Sequence, residues 1–131
     1  MSAMAPSEKR VLVVEDDRFL RRACEASLRQ RGFTVVVAAD GEEGLQIARA
    51  ETFDLILLDL LMPKLSGVEV LRALKGDAAT RSIPVLVLSN SSRQQDIDEI
   101  MRLGAVGYLV KANLSLQELG DRVAALLRGP T

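Results

Sequence analysis

Short apolar runs alternate with longer amphipathic stretches along this chain from Val11 onward. The runs are rich in valine and leucine, which is typical of strands in a parallel sheet that is buried on both faces. They predict five strands, at Val11–Val14, Thr34–Ala38, Asp54–Leu58, Pro84–Ser89 and Val106–Val110. Because a helical stretch follows each run, the pattern predicts a doubly wound α/β fold with a five-stranded parallel sheet, and strand order 2-1-3-4-5 is the leading arrangement.

Capping side chains and glycines mark the expected helix ends. The first helix is predicted from about Arg18 to Arg31, with Gly32 as its stop. Gly76, Gly104 and Gly129-Pro130 are expected to end the third, fourth and fifth helices. The starts of the later helices are predicted from four pairs of side chains that can cap free backbone amides: Asp40 with Glu43, Ser66 with Glu69, Ser92 with Gln95, and Ser115 with Glu118.

Composition narrows the class of protein. A chain of 131 residues is long enough for one core, so we expect a flexible lead-in over residues 1–9, one domain over 10–128 and a short tail over 129–131. The net charge of −1 offers no basic field for nucleic acid and no basic amphipathic segment for a membrane. One cysteine, Cys24, and no histidine argue against disulfides and zinc, and favour a reduced cytoplasmic protein.

Acidic residues follow two strands that the predicted order makes neighbours. Asp59 closes the apolar run Leu55–Leu58, and we expect it to be exposed at the sheet edge. Glu15 and Asp16 follow the first strand, so they are expected to face Asp59 across one crevice. Three like charges in a cleft are unfavourable unless a cation holds them. Oxygen ligands without histidine point to Mg²⁺, with Mn²⁺ as the alternative ion.

A hydroxyl and an ammonium group are predicted at the same edge of the sheet. Ser89 ends the fourth predicted strand, and Lys111 follows the fifth. Beside a magnesium-bound carboxylate, these two groups would supply the donors and the positive charge that a phosphoryl group requires. Serine at a strand end is commonly a turn or cap, and lysine there is commonly a solvated surface residue. The argument therefore depends on the whole set of residues.

The residues singled out above belong to longer motifs that follow one another along the chain: Val13–Asp17, Leu57–Pro63 followed by Gly67, Leu86–Ser89, and Gly107–Lys111. In this order they resemble the receiver domain of two-component response regulators, and the resemblance covers Val11 to about Arg128. That family has the flavodoxin-like (βα)5 fold. Within the second motif, Met62-Pro63 also has a plain structural interpretation, in which proline ends the strand and shapes the following loop.

The resemblance implies that Asp59 accepts a phosphoryl group from a histidine of a partner kinase or of a histidine phosphotransfer protein. It implies that Asp16, Asp59 and the main-chain carbonyl of Leu61 bind Mg²⁺, with Glu15 acting largely through water. Lys111 and Ser89 would then stabilise the phosphoryl group. Finally, Ser89 and Tyr108 would act as switch residues that change the surface formed by the fourth helix, the fifth strand and the fifth helix. Aromatic residues on strands more often simply pack, so the role of Tyr108 depends on its place three residues before Lys111.

We therefore expect a stand-alone signalling module that signals to a downstream protein target, without direct contact with nucleic acid or membrane. Homodimerisation on phosphorylation is left open. The expected chemistry is limited to self-phosphorylation from a donor and self-dephosphorylation, so the chain is not expected to be a turnover enzyme.

The chain departs from the family at two positions near the site. Ala112 follows Lys111, where most members have proline, often after a cis bond. A cis bond before alanine costs about 2.5–4 kcal/mol, so a trans bond is expected here. Asn90 is larger and more polar than the usual alanine or glycine and could flank the phosphoryl entrance. Leu61 and Ser91 occupy positions whose side chains can screen a phosphoryl group from water.

Three rival functions compete with this interpretation. A haloacid-dehalogenase-like phosphohydrolase would need an acid two residues after the nucleophile, and Leu61 stands there. A flavodoxin-like flavin binder would need a phosphate-binding loop after the first strand, where Glu15, Asp16 and Asp17 would repel a phosphate. A pseudo-receiver that acts only as a scaffold is the third rival. Every residue required for phosphorylation is present, which argues against it.

Overall fold

The computed structural model describes residues 8–62 and 65–128. Most of the expected lead-in, Pro63 and Gly129-Pro130 therefore lie outside the described residues. The elements, in chain order, are β1 (Arg10–Val14), α1 (Arg18–Gln30), β2 (Thr34–Ala38), α2 (Gly41–Ala50), β3 (Leu55–Asp59), α3 (Gly67–Gly76), β4 (Val85–Ser89), α4 (Gln94–Arg102), β5 (Gly107–Val110), a short 3-10 turn (Lys111–Asn113) and α5 (Leu116–Arg128).

The five strands form one parallel sheet in the order β2-β1-β3-β4-β5, which confirms the predicted fold. Their register brings the carboxyl ends to one level. Val14 pairs with Leu58, and Asp59 pairs with Leu88 on β4. Ser89 in turn pairs with Val110 on β5. Residues that end or follow the four strands β1, β3, β4 and β5 are therefore brought to the same edge of the sheet.

The central strand β3 is buried on both faces, as its unbroken apolar run predicts. Alternate residues point to opposite faces, so β3 contributes to two cores. Leu55 and Leu57 pack in the cluster that includes α1 and α5, whereas Ile56 and Leu58 pack in the cluster that includes α2, α3 and α4. Cys24 is fully buried in the first of these clusters, as expected for a small core residue.

Three of the four predicted capping pairs form. Backbone amides of Glu43, Glu69 and Glu118 donate to the side chains of Asp40, Ser66 and Ser115. The predicted cap of α4 by Ser92 with Gln95 is wrong. That helix begins at Gln94, after Arg93, and has no side-chain cap. The nearby Ser91 hydroxyl instead accepts the Arg93 amide and donates to the Asp96 carboxylate. Ser91, rather than Ser92, therefore bonds the start of α4.

Two of the predicted helix stops coincide with glycines of positive φ. Gly32 (φ 94°) follows α1, and Gly104 (φ 109°) follows α4. That backbone region favours glycine, because a Cβ there is strained. Within residues 8–62 and 65–128, no helix is long and apolar enough to span a bilayer.

Candidate functional site

The predicted polar residues meet at the carboxyl edge of the sheet. Asp59 is the last residue of β3 and Ser89 the last residue of β4, while Glu15 and Lys111 directly follow β1 and β5. Carboxylate oxygens of Glu15, Asp16 and Asp59 all lie within 4.8 Å of one another. The crevice predicted from the strand order is therefore present.

Lys111 lies between the two buried acids. Its Nζ is 3.0 Å from Asp59 Oδ1 and 3.2 Å from Glu15 Oε1. The contact with Glu15 was not predicted from the sequence. The peptide bond between Lys111 and Ala112 is trans, as expected, and Lys111 begins the short 3-10 turn. One ammonium group thus neutralises part of the charge of two carboxylates.

The expectation that Asp59 is exposed is wrong. Its surface is only 1% accessible, because the loops after β1 and β5 cover the end of β3. Asp59 Oδ1 accepts the backbone amide of Leu61 at 3.2 Å in addition to contacting Lys111. Across the residues that the structure describes, no donor reaches Asp59 Oδ2. The carboxylate is thus fixed through one oxygen, and the other remains available for bonding.

The electrostatics of the pocket favour an additional cation. The pKa of Glu15 is raised from 4.5 to about 7, first by burial and then by the neighbouring Asp59 carboxyl group. Burial lowers the pKa of Lys111, but the hydrogen bond to Asp59 and the charge of Glu15 outweigh burial, so its pKa lies above the ordinary value. The pocket thus holds more carboxylate than one lysine can neutralise.

The donor set fits the magnesium ion predicted from the sequence. Mg²⁺ prefers one or two carboxylates and keeps several waters. Asp16 is exposed to solvent, whereas Glu15 and Asp59 are buried, so the cluster is open on one side. A buried carboxylate oxygen without a partner, such as Asp59 Oδ2, is costly, so the pocket as a whole favours an incoming cation or electrophile. The ligand role of the Leu61 carbonyl stays a prediction.

Three structural residues of the site had not been singled out for their contacts. Arg21 Nη1 donates to the Glu15 carbonyl at 3.0 Å, and the Asp17 amide donates to Glu15 Oε2 at 3.0 Å. These bonds fix the loop after β1. A Cβ added to Gly67 would overlap the Asp59 carbonyl oxygen, so α3 packs directly on the end of β3. Gly67 and Asp17 had a sequence signal as members of the motifs after β3 and β1, whereas Arg21 had none.

Ser89 and Tyr108 are joined by the loop between β4 and α4. The Ser91 amide donates to Ser89 Oγ at 3.1 Å, and the Tyr108 hydroxyl donates to the Ser91 carbonyl at 2.8 Å. Tyr108 is half-buried and packs against the core formed with α3 and α4. The side chain of Leu61, which is 62% exposed, and Asn90 line a cavity beside these residues.

Comparisons with known proteins define the class. The sequence profile described as the response regulator receiver domain matches residues 11–124. Among curated proteins, the transcriptional activator protein PfeR of Pseudomonas aeruginosa is 44% identical over 119 residues, which are 91% of this chain and 38% of PfeR. The transcriptional regulatory protein PrrA of Mycobacterium tuberculosis is 45% identical over 119 residues, which are 91% of this chain and 50% of PrrA.

Solved structures agree with the curated relatives. The receiver domain of the Francisella response regulator 1452 superposes with a TM-score of 0.86 at 30% identity, covering 92% of this chain and 98% of that one. The chemotaxis response regulator CheY4 of Vibrio cholerae gives a TM-score of 0.86 at 29% identity, covering 92% of this chain and 99% of that one. The match to the profile shows that this chain belongs to the response regulator receiver domain family.

Receiver domains belong to two-component signalling proteins, interact with histidine kinases and bind Mg²⁺ at an acidic site, and the Glu15, Asp16 and Asp59 cluster is the corresponding feature here. The chain spans half or less of the length of the two curated relatives named above.

Proposed function

We propose that this domain is a phosphorylation switch in which Asp59 is the phosphoacceptor. The observation that carries the proposal is a buried carboxylate held through Oδ1 by Leu61 and Lys111, with Oδ2 free among the described residues. A free Oδ2 can attack the phosphorus of a phosphohistidine on a partner kinase or phosphotransfer protein. The new P–O bond forms as the P–N bond breaks, and the imidazole leaves.

The surrounding residues suit this in-line transfer because its main requirements are positioning and charge neutralisation. Lys111 is already within ion-pair distance of Asp59, so its ammonium can follow the negative charge onto the phosphoryl oxygens. The Ser89 hydroxyl is the second donor that we assign to those oxygens. Glu15 also lies within ion-pair distance of the Lys111 ammonium and thereby helps to orient it.

We assign the magnesium site to Glu15, Asp16, Asp59 and the Leu61 carbonyl. The buried and exposed acids of the cluster support this assignment, as does the excess negative charge of the pocket. A bound Mg²⁺ would neutralise charge on the carboxylates and on the phosphoryl oxygens.

The proposed output is a change of the surface formed by α4, β5 and α5. Phosphorylation must favour one of two pre-existing arrangements of the domain, and contacts of the phosphoryl group with Ser89 and Lys111 would supply the difference. Tyr108 lies between Ser91 and the α4 side of the core, where it can transmit that difference. A downstream protein would bind the altered surface, and homodimerisation on phosphorylation is one form that this binding could take.

Several properties of the whole protein stay predictions. The stand-alone role and the domain limits 10–128 are among them, because the matched region is only half or less of each curated relative named above. A cytoplasmic location and the lack of direct contact with nucleic acid also stay predictions.

The proposal is tested by intact-protein mass after incubation with acetyl phosphate, with and without Mg²⁺. Wild type should gain one phosphoryl group only when Mg²⁺ is present, and Asp59→Asn should gain none. Asp98→Asn is the matched control, because Asp98 is an exposed acid on α4; it should be labelled like wild type. Labelling of Asp59→Asn at the wild-type rate would show that the acceptor is another residue.

A further inference from the structure

Ser91 bonds three residues, Ser89, Tyr108 and Asp96, through separate atoms. Its amide donates to Ser89 Oγ at 3.1 Å, and its carbonyl accepts the Tyr108 hydroxyl at 2.8 Å. Its own hydroxyl donates to Asp96 Oδ2 at 2.5 Å. A displacement of Ser91 would therefore change the bonding of both Ser89 and Tyr108.

The bond from Ser91 to Ser89 determines what the Ser89 hydroxyl can do. Because Ser89 Oγ already accepts the Ser91 amide, its own proton is free to be donated elsewhere. A donor is what an oxygen of a phosphorylated Asp59 requires from Ser89. The observed position of Ser91 thus prepares Ser89 as a donor.

The bond to Tyr108 restrains a ring that has room to move. Tyr108 lines a cavity of about 590 Å³ between the loop after β3 and helix α4. Packing in an open cavity leaves alternative side-chain rotamers accessible, so the hydrogen bond to the Ser91 carbonyl selects one of them. Tyr108 therefore follows the position of Ser91.

Asp96 fixes Ser91 from the first turn of α4. The Asp96 carboxylate accepts the Ser91 hydroxyl through Oδ2 and also accepts Arg93 Nε at 3.0 Å. The bond from Ser91 and then the bond from Arg93 hold the pKa of Asp96 below its usual range. Hydrogen bonds to a charged acceptor are stronger than neutral ones. The Arg93 amide completes the link by donating to Ser91 Oγ at 3.2 Å.

We propose that Asp96 is a positioning residue which, through Ser91, holds the Ser89 hydroxyl and the Tyr108 ring in the arrangement that receives a phosphoryl group. The inference rests on the proposed function of Asp59 and adds a residue to it. The role of Asp96 was not predicted from the sequence, where the cap of α4 was assigned to Ser92 with Gln95.

The first measurement is the concentration of beryllofluoride, a phosphoryl analogue, that half-saturates the protein in the presence of Mg²⁺. Loss of one hydrogen bond that positions a donor should raise this concentration about fivefold in Asp96→Ala. Ser91→Ala keeps the backbone amide and carbonyl and removes only the hydroxyl, so it should show the same increase. The double variant should be no weaker than either single variant, because both remove the same bond. Asp98→Ala is the control on the same helix and should match wild type.

The second measurement observes Tyr108 directly, since it is the single tyrosine of the chain. Protein labelled with 3-fluorotyrosine should give one ¹⁹F resonance from the side chain. In Asp96→Ala and Ser91→Ala this resonance should shift or broaden before any ligand is added, whereas Asp98→Ala should leave it unchanged. A role of Asp96 in helix stability alone would not move the resonance.

The phosphoacceptor role of Asp59 and the positioning role of Asp96 can be refuted separately. Labelling of wild type at Asp59 by acetyl phosphate tests the proposed function alone. If wild type is labelled and Asp96→Ala matches Asp98→Ala in both measurements, the role of Asp96 is refuted while the phosphoacceptor stands. A lower half-saturating concentration in Asp96→Ala also refutes it. A raised concentration together with a moved resonance supports it.

Discussion

Replacement of Glu15 by glutamine should stabilise the protein at alkaline pH in the absence of divalent cations. Glu15 is only 1% exposed, and its pKa is raised from 4.5 to about 7, chiefly by burial. Because the folded-state pKa is the higher one, the stabilising contribution of this group is complete below pH 4.5 and is lost as the pH rises through about 7. Glutamine keeps the shape of the side chain and removes this dependence.

The magnitude follows from the size of the pKa shift. Each pH unit corresponds to about 1.4 kcal/mol, so ionisation of Glu15 costs the folded protein about 3 kcal/mol when the pH is well above 7. The free energy of unfolding of Glu15→Gln, relative to wild type, should therefore increase by up to about 3 kcal/mol between pH 4.5 and pH 8. The bond from the Asp17 amide does not change this pH dependence, because its effect is already part of the pKa shift of Glu15.

Urea unfolding in a chelator at acidic and alkaline pH measures this difference. Glu99→Gln, at an exposed position on α4, is the matched control. Addition of Mg²⁺ at alkaline pH should stabilise wild type more than Glu15→Gln, because the variant has one carboxylate fewer in the cluster. A difference between wild type and Glu15→Gln that is the same at both pH values would refute the reasoning.

Two further predictions concern the packing that supports the site. Gly67→Ala should lower the free energy of unfolding, measured in urea, by about 2 kcal/mol, because its Cβ would overlap the Asp59 carbonyl oxygen. Gly76→Ala is the control, because a Cβ there would meet nothing within 4 Å. Equal stability of the two variants would contradict the packing. Cys24 should react with a thiol reagent only as fast as the domain opens, because it is fully buried and burial raises its pKa to about 12. The absorbance of the released thiol product measures the reaction rate. Reaction at the rate of a free thiol in native buffer would argue against the burial of Cys24.

The fold was predictable because its main signals are local. An unbroken apolar run such as Leu55–Leu58 lacks the polar positions of a half-exposed strand or a surface helix. It is typical of a strand in a sheet that is covered on both faces. The caps at Asp40, Ser66 and Ser115 are also local, since each bonds a residue three positions later. Such contacts do not depend on distant parts of the chain.

The errors came from contacts between distant segments. Asp59 was expected to be exposed because it ends a strand, but Lys111 and the loop after β1 cover it, and nothing in the sequence around Asp59 indicates this. The contact of Lys111 with Glu15 joins the ends of β1 and β5, which lie on opposite sides of β3 and β4. The error at α4 is an exception because it is local: two serines stand side by side there, and Ser91 rather than Ser92 bonds Asp96, five residues later.

The most direct test of the account is to locate the phosphoryl group. Borohydride reduces the acyl phosphate of an aspartate to an alcohol, so a phosphorylated aspartate becomes homoserine. After treatment with acetyl phosphate and Mg²⁺, peptide sequencing by tandem mass spectrometry should find homoserine at position 59 and aspartate at positions 16 and 17. Homoserine at Asp16 or Asp17, with Asp59 unchanged, would contradict the assignment of Asp59 as the phosphoacceptor.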